Sequence, residues 1–281
     1  MSVADPAEVV RGGPAGAATD GGAARAAAAA RAVGYPALGI GVLLALWWLG
    51  GWMVSSNPET QTFAGFAPAP AFAALGDLVA SGRVWEPIAS SLYRIGMGLL
   101  WAVVLGVPVG VAIGLSKSLR EATHVPFQFL RMISPLAWMP VAVLAFATWD
   151  GAIIFLIAVA AVWPITYATA HGISRIDPMW LRVARNLGAD GFQMLRRIII
   201  PAIAQDIFAG VRLAVGVAWI ILVPAEYLGV TSGLGYAIND ARDTLEYDTL
   251  AAIVLVIGMI GYLLDKVCVM LVNHFSWHQD A

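Results

Sequence analysis

The chain has 281 residues, of which 60% are hydrophobic and 12% charged, and its formal net charge is −2. Soluble globular domains carry roughly 25% charged residues, so a water-soluble fold is excluded for most of this chain and lipid must be its solvent. The near-neutral balance gives no field that would draw nucleic acid, and the single cysteine, Cys268, excludes an intrachain disulfide or a cysteine-based metal cluster. Residues 1–33 form an Ala/Gly-rich leader carrying Arg11, Arg25 and Arg31. Its length ahead of the first apolar run does not fit a secretory signal. It reads as a mobile cytosolic tail in which Ala23–Ala32 can become helical at the membrane surface, and residues 34–281 read as a transmembrane domain.

A bilayer core is crossed by about 20 apolar residues in a helix. Six runs meet this: Gly34–Val54, Leu92–Leu115, Pro126–Ala147, Ala152–Ala170, Ala202–Pro224 and Leu250–Val272. The third is interrupted by Arg131 and two prolines. Ser55–Ser91 is too polar to cross, and its Pro68-Ala69-Pro70 predicts a turn followed by a short amphipathic helix, Phe72–Ala80. Gly106, Gly110 and Gly114 share one face of the second span, where small residues let helices approach closely. That face suits packing inside one bundle or a seam between two copies.

Lys and Arg set orientation. With the N-terminus inside, the cytosolic side collects most of them, including Lys117, Arg120, Arg131, Arg175, Arg182, Arg185, Arg196, Arg197 and Lys266. The outer side receives Arg83, Arg94 and Arg242, together with the acidic Glu226, Asp240, Asp243, Glu246 and Asp248. An even number of spans returns the C-terminus to the cytosol.

The segment Gly172–Pro201 has a helical pattern of its own. Leu181, Ala184, Leu187 and Gly188 recur at three- and four-residue steps, with Arg182, Arg185, Arg196 and Arg197 at other positions. Asp177-Pro178 predicts a capped helix start, and Gly188-Ala189-Asp190-Gly191 predicts a break into two short helices. Physics alone allows such an element to lie flat on the membrane.

The same segment resembles the loop signature of binding-protein-dependent ABC importer permeases: Glu-Ala-Ala, three residues, Gly, nine residues, Ile, any residue, Leu, Pro. Ala184, Gly188, Ile198 and Pro201 keep that register, whereas Arg182, Val183 and Ile200 depart from it. Further likeness to the nitrate, bicarbonate and sulfonate (taurine) subgroup lies in Ser91-Leu92 with Arg94 and Gly98, in Ser134-Pro135-Leu136-Ala137-Trp138-Met139-Pro140, in Trp163-Pro164-Ile165, and in Gly210-Val211-Arg212-Leu213-Ala214 through Trp219 to Glu226. Together these fragments cover roughly residues 71–272.

The resemblance implies an all-α integral membrane fold: about six transmembrane helices in a type I ABC importer permease bundle with a cytosolic coupling helix. It implies a bacterial inner-membrane protein, multi-pass, with both termini cytosolic. It implies a second permease copy, two cytosolic ATPase subunits and an extracytoplasmic substrate-binding protein as partners. The expected ATPase-coupling residues are Arg182, Ala184, Arg185, Leu187, Gly188, Ala189 and Pro201. The chain has no Gly-x-x-x-x-Gly-Lys-Ser/Thr loop, so ATP and Mg would be bound by the partner subunits, and neither a catalytic nor a metal site is expected here.

Ionisable and aromatic residues at membrane depth are the candidates for the pathway: Arg131, Trp138, Trp163, Arg212, Trp219 and Glu226. Arg131 can instead snorkel to the interface, and the tryptophans can be anchors or packing. Asp206 and Glu226 are the expected partners of Arg212, and Asp265-Lys266 reads as a pair at the membrane edge. Nitrate or bicarbonate is the leading cargo, with a sulfonate such as taurine or another small organic nutrient as the alternative. A secondary transporter driven by an ion gradient is the competing class, and the chain lacks the internal repeat it predicts.

Overall fold

The computed structural model describes residues 20–276, with side chains described from Gly34 to Val272. The chain divides into two compact units, Met1–Pro68 and Ala69–Ala281. Among the described residues all regular structure is helical. Among these residues five helices are long and apolar enough to cross a membrane, and a bent pair makes a sixth crossing if it counts as one.

The first unit contains α1, Asp20–Ser56, followed by a 3-10 turn at Gln61–Phe66. Helix α1 runs through the Ala-rich stretch and past residue 33 without a break, while residues 1–19 of the expected leader lie outside the described residues. The Trp47 indole donates to the Phe66 carbonyl at 2.8 Å, tying the turn back onto the helix.

The second unit takes in the short apolar helix α2, Pro68–Ala80, from its second residue on, and then α3, Trp85–Leu115. The expected second span therefore starts seven residues early. Trp85–Ser91 looks like loop in a hydropathy reading because Glu86, Ser90 and Ser91 dilute it, yet Pro87 in the first turn costs the helix no hydrogen bond. Helix α4, Lys117–Met132, is capped by the Ser116 hydroxyl, which accepts from Leu119 N at 3.2 Å. Beyond it come a 3-10 turn at Pro135–Trp138, then α5, Met139–Ala145, and α6, Trp149–Ser174.

The expected third span, Pro126–Ala147, is not one helix. The chain bends by 84° between α4 and the segment Pro135–Ala145. The cause is Pro135, which pushes the residue before it out of the helical region. Ser134 has φ −57° and ψ 127°, and Ile133 is extended as well.

Helices α7, Pro178–Asn186, and α8, Gly191–Met194, follow, then a π-turn at Leu195–Ile199 and a short α9, Ile200–Ala202. Helix α10 spans Ala204–Gly229, α11 Leu234–Asp243 and α12 Tyr247–Ser276.

The core is built on α3 and α6, which run parallel in constant register. Gly98 faces Ile157, Gly106 faces Ile165, Gly110 faces Thr169 and Gly114 faces Ile173. A methyl on Gly110 would stand 2.6 Å from both the Thr166 carbonyl oxygen and Thr169 Cβ, so only hydrogen fits at this approach. The glycine face is thus consumed inside the bundle by α6, and the seam between copies allowed from sequence is not formed by these residues. Helix α10 packs antiparallel to α6, with Gly210 against Ala168 and Asp206 against Gly172. Ile153, Leu156, Ala218 and Leu222 are buried in the cluster that joins these helices, and α12 completes the packing through Ala252 and Ile253.

A candidate coupling surface and two ionic clusters

Helix α7 starts where Asp177 Oδ1 accepts from Met179 N at 2.8 Å, with Pro178 in the first turn. It ends at Gly188, whose φ of +83° a side chain would disfavour. Gly188 N donates to the Arg185 carbonyl and Ala189 N to the Ala184 carbonyl, both at 3.0 Å. This pair of bonds closes the helix and satisfies its last carbonyls. Asp190 and Gln193 then cap α8 reciprocally, Asp190 Oδ1 accepting from Gln193 N at 2.7 Å. The two short helices and the break between them stand where the sequence places them.

Ala184 is buried against Ile173, Met194, Ile199 and Ile203, which anchors α7 to the helix ends beneath it. Next to Ala184, the same side of α7 is apolar and uncovered. Met179, Trp180, Val183 and Leu187 are exposed, Leu187 at 83%, and with Ala184, Ala189 and Ile198 they line an open dish of about 450 Å³. Arg182, Arg185, Arg196 and Arg197, on the same segment, are all exposed. Pro201 has no N–H to continue the ladder, and the chain answers with the π-turn, in which Ile200 N reaches the Leu195 carbonyl five residues back. The expected coupling residues therefore fall on one small unit, with Ala184 as its buried root, Leu187 and the arginines outermost, and Pro201 at its return into the bundle.

The second feature lies at the far end of the same helices and was not legible from composition. Arg94, 2% exposed, sits inside α3, within the expected second span. Its Nη1 donates to Glu226 Oε1 at 2.6 Å and to the Ser232 carbonyl at 2.9 Å. Its Nε donates to Asp150 Oδ1 at 2.8 Å, and its Nη2 to Ser232 Oγ at 2.7 Å. Glu226 is fully buried within α10, not in an outer segment. Besides Arg94, the Ser91 hydroxyl stands 2.8 Å from its Oε2 and Gly235 N donates to that oxygen at 3.0 Å. Ser91 Oγ in turn accepts from Leu234 N at 2.9 Å. Ser91 and Arg94, three residues apart on one helix face, together with Glu226 ahead of Gly233-Leu234-Gly235, were the available signal.

A third feature corrects the expected partners of Arg212. Its Nε and Nη2 donate to Asp265 Oδ1 and Oδ2 at 2.9 Å and 3.2 Å, across α10 and α12. Glu226 is taken by Arg94, and Asp206 stands 3.8 Å from Arg175. Asp265 consequently pairs across the two helices and not with the adjacent Lys266, whose ammonium lies over the Tyr262 ring. The Arg212–Asp265 pair is about half exposed although both residues lie within spanning helices.

The remaining pathway candidates do not converge. The Arg131 guanidinium lies 5.3 Å from the Tyr167 ring centroid, and Trp163 packs edge-on against Phe127. Trp138 and Trp219 are packed against the core, Trp219 touching both of its main clusters.

Comparison with known proteins agrees with this architecture. The family model described as "Binding-protein-dependent transport system inner membrane component" matches residues 102–276. The bicarbonate transport system permease protein CmpB of Synechococcus elongatus is 38% identical over 187 residues, which cover 66% of this chain and 66% of that relative's length. The taurine transport system permease protein TauC of Escherichia coli is 32% identical over 233 residues, covering 80% of this chain and 82% of that protein. Among solved structures, one of the inward-facing MetNI methionine ABC transporter superposes with a TM-score of 0.57 at 16% identity, covering 68% of this chain and 95% of the matched one. At that identity the superposition speaks to the fold, and it supports the type I importer bundle. On the family match and these relatives, the chain belongs to the binding-protein-dependent transport system inner membrane components.

Proposed function

We propose that this chain is the membrane permease subunit of an ATP-driven importer for a small oxyanion, bicarbonate or nitrate. Two copies form the pathway, two cytosolic ATPase subunits drive it, and an extracytoplasmic binding protein delivers the cargo. The supporting observation is α7: a doubly capped helix that buries one residue and presents an uncovered apolar dish on a segment with four exposed arginines. A face of that kind, rooted through Ala184 on the ends of α6 and α10, transmits a push from a docked subunit to the spans. The Arg-rich end carrying α7 is placed in the cytosol, following the excess of Lys and Arg there.

The half-exposed Arg212–Asp265 pair supports a second copy or a wet pathway beside α10 and α12. Ionised groups inside a membrane face protein or water, not hydrocarbon, and no other described residue covers this one fully. The membership in a transport family also sets the reading apart from an enzyme. A sulfonate such as taurine is the second reading for the cargo, because the taurine relative aligns over more of the chain than the bicarbonate relative does.

Co-reconstitution with ATPase subunits and a binding protein tests the proposal. Uptake of bicarbonate or nitrate should require ATP and every partner. Uptake by the chain alone under a proton or sodium gradient would defeat it, and uptake of taurine in place of the oxyanions would move the cargo to the second reading.

A further inference from the structure

At the end of the helices that carries α7, a cavity of about 370 Å³ opens between the C-terminal ends of α3 and α6 and the first half of α4. Its polar lining is Arg120, Thr123 and His124 from α4, and Tyr167, His171 and Ser174 from α6. No carboxylate lines it. The acids nearby are engaged elsewhere, Glu121 with Lys117 and Asp206 with Arg175, each at 3.8 Å.

The donors are not all free. Thr123 Oγ1 donates to the Leu119 carbonyl, and Ser174 Oγ to the His171 carbonyl. Arg120 is held in place by α3: its Nη2 donates to the Gly114 carbonyl at 2.8 Å and its Nε points at the Ile113 carbonyl at 3.4 Å. This fixes the guanidinium, and Nη1 has no hydrogen-bond partner among the described residues. Among the described residues, no hydrogen bond or ion pair engages the ring of His124 or His171. The Tyr167 hydroxyl is the fourth unspent donor, and its ring carries the Arg131 guanidinium, a cation that no carboxylate balances among the described residues.

A fixed guanidinium edge, two imidazoles and a phenol are N–H and O–H donors in either protonation state of the histidines. The complement to such a set, with cationic surroundings and no lining acid, is an acceptor-only anion. Arginine binds oxygens in a planar fork and forms its stronger hydrogen bonds with charged acceptors. We propose that this cavity is an oxyanion site, in which Arg120 Nη1, His124, His171 and the Tyr167 hydroxyl hold the oxygens. Such an oxyanion comes either from solution or from the phosphate of an acidic phospholipid. The assignment stands on the cavity alone and does not depend on the transport reading.

The test uses the full chain, labelled with 15N-histidine, in nanodiscs of zwitterionic lipid. Nitrate, bicarbonate and inorganic phosphate are titrated against chloride at matched ionic strength, and the lipid is then exchanged for one containing phosphatidylglycerol. The His124 and His171 ring signals should move saturably with an oxyanion. In His124→Gln the response of His171 should need at least tenfold more of it, while Gln128→Ala, on the same helix but outside the cavity, should change nothing. Saturation by a soluble oxyanion assigns the ligand to solution, and a response confined to phosphatidylglycerol assigns it to lipid. Ring signals that stay put with every probe, or that move equally with chloride, overturn the proposal, as does an unchanged affinity in His124→Gln.

Discussion

Replacing Arg94 by Met keeps the length and apolar stem of the side chain while deleting the charge that Glu226 faces. Glu226 is fully buried, so its carboxylate would remain in the interior with only the Ser91 hydroxyl and the Gly235 amide as partners. Removing one member of a buried ion pair costs about 3–5 kcal/mol because the other charge is left uncompensated. The Asp150 contact should add little, since that carboxylate is 52% exposed and exposed pairs contribute about 0–1 kcal/mol. Replacing both partners, as Arg94→Met with Glu226→Leu, removes the stranded charge and should recover much of the loss. The readout is equilibrium unfolding in mixed micelles, with proteolysis of the Val230–Gly235 connection as a local measure. Arg94→Met should both unfold earlier and open that connection, because the same guanidinium holds the Ser232 carbonyl and hydroxyl. A single variant costing under about 1 kcal/mol, or a double variant whose loss equals the sum of the singles, would refute the uncompensated-charge argument.

Leu187→Glu, placed on the outermost apolar position of α7, should leave insertion and folding intact and abolish cargo-stimulated ATP hydrolysis in the reconstituted complex. Normal stimulation would remove α7 from the coupling role. Gly188→Trp should do the same, with an added conformational cost at its positive φ. Gly110→Leu should destabilise the chain by at least the 1–3 kcal/mol typical of overpacking, because no space exists against Thr166 and Thr169; an unchanged unfolding midpoint would contradict the α3–α6 register. Arg212→Gln should slow uptake while preserving the fold, and the exchange Arg212→Asp with Asp265→Arg should restore part of it. Failure of every exchange to restore transport would show that the position of the cation matters more than the pair.

The spans, the capped α7 and the break at Gly188 were legible because each rests on local rules: hydropathy over some 20 residues, Asp-Pro at a helix start, glycine at its end. The start of α3 was not, since a helix end rich in serine and glutamate has the same hydropathy as a loop. The 84° bend was legible only in its ingredients, Arg131 and the prolines, because a span and a broken span have similar composition. Ion pairing was the least legible. Arg212 has carboxylates at Asp206, Glu226 and Asp265 within range of a guess, and only the antiparallel run of α6 and α10 sends Glu226 to Arg94 and leaves Asp265 for Arg212. The α3–α6 register decided the glycine face in the same way: the repeat announced a close neighbour but could not say which helix it was.

The interruption at Ile133 and Ser134 has one more consequence. Ile133 N donates to the Leu130 carbonyl and Ala137 N to the Ser134 carbonyl, but a helix that stops and restarts within a span interrupts its ladder, and hydrocarbon offers the remaining groups nothing to bond with. That stretch of the backbone must turn toward a neighbouring element or hydrated space, so acyl chains do not pack evenly along this side of the protein.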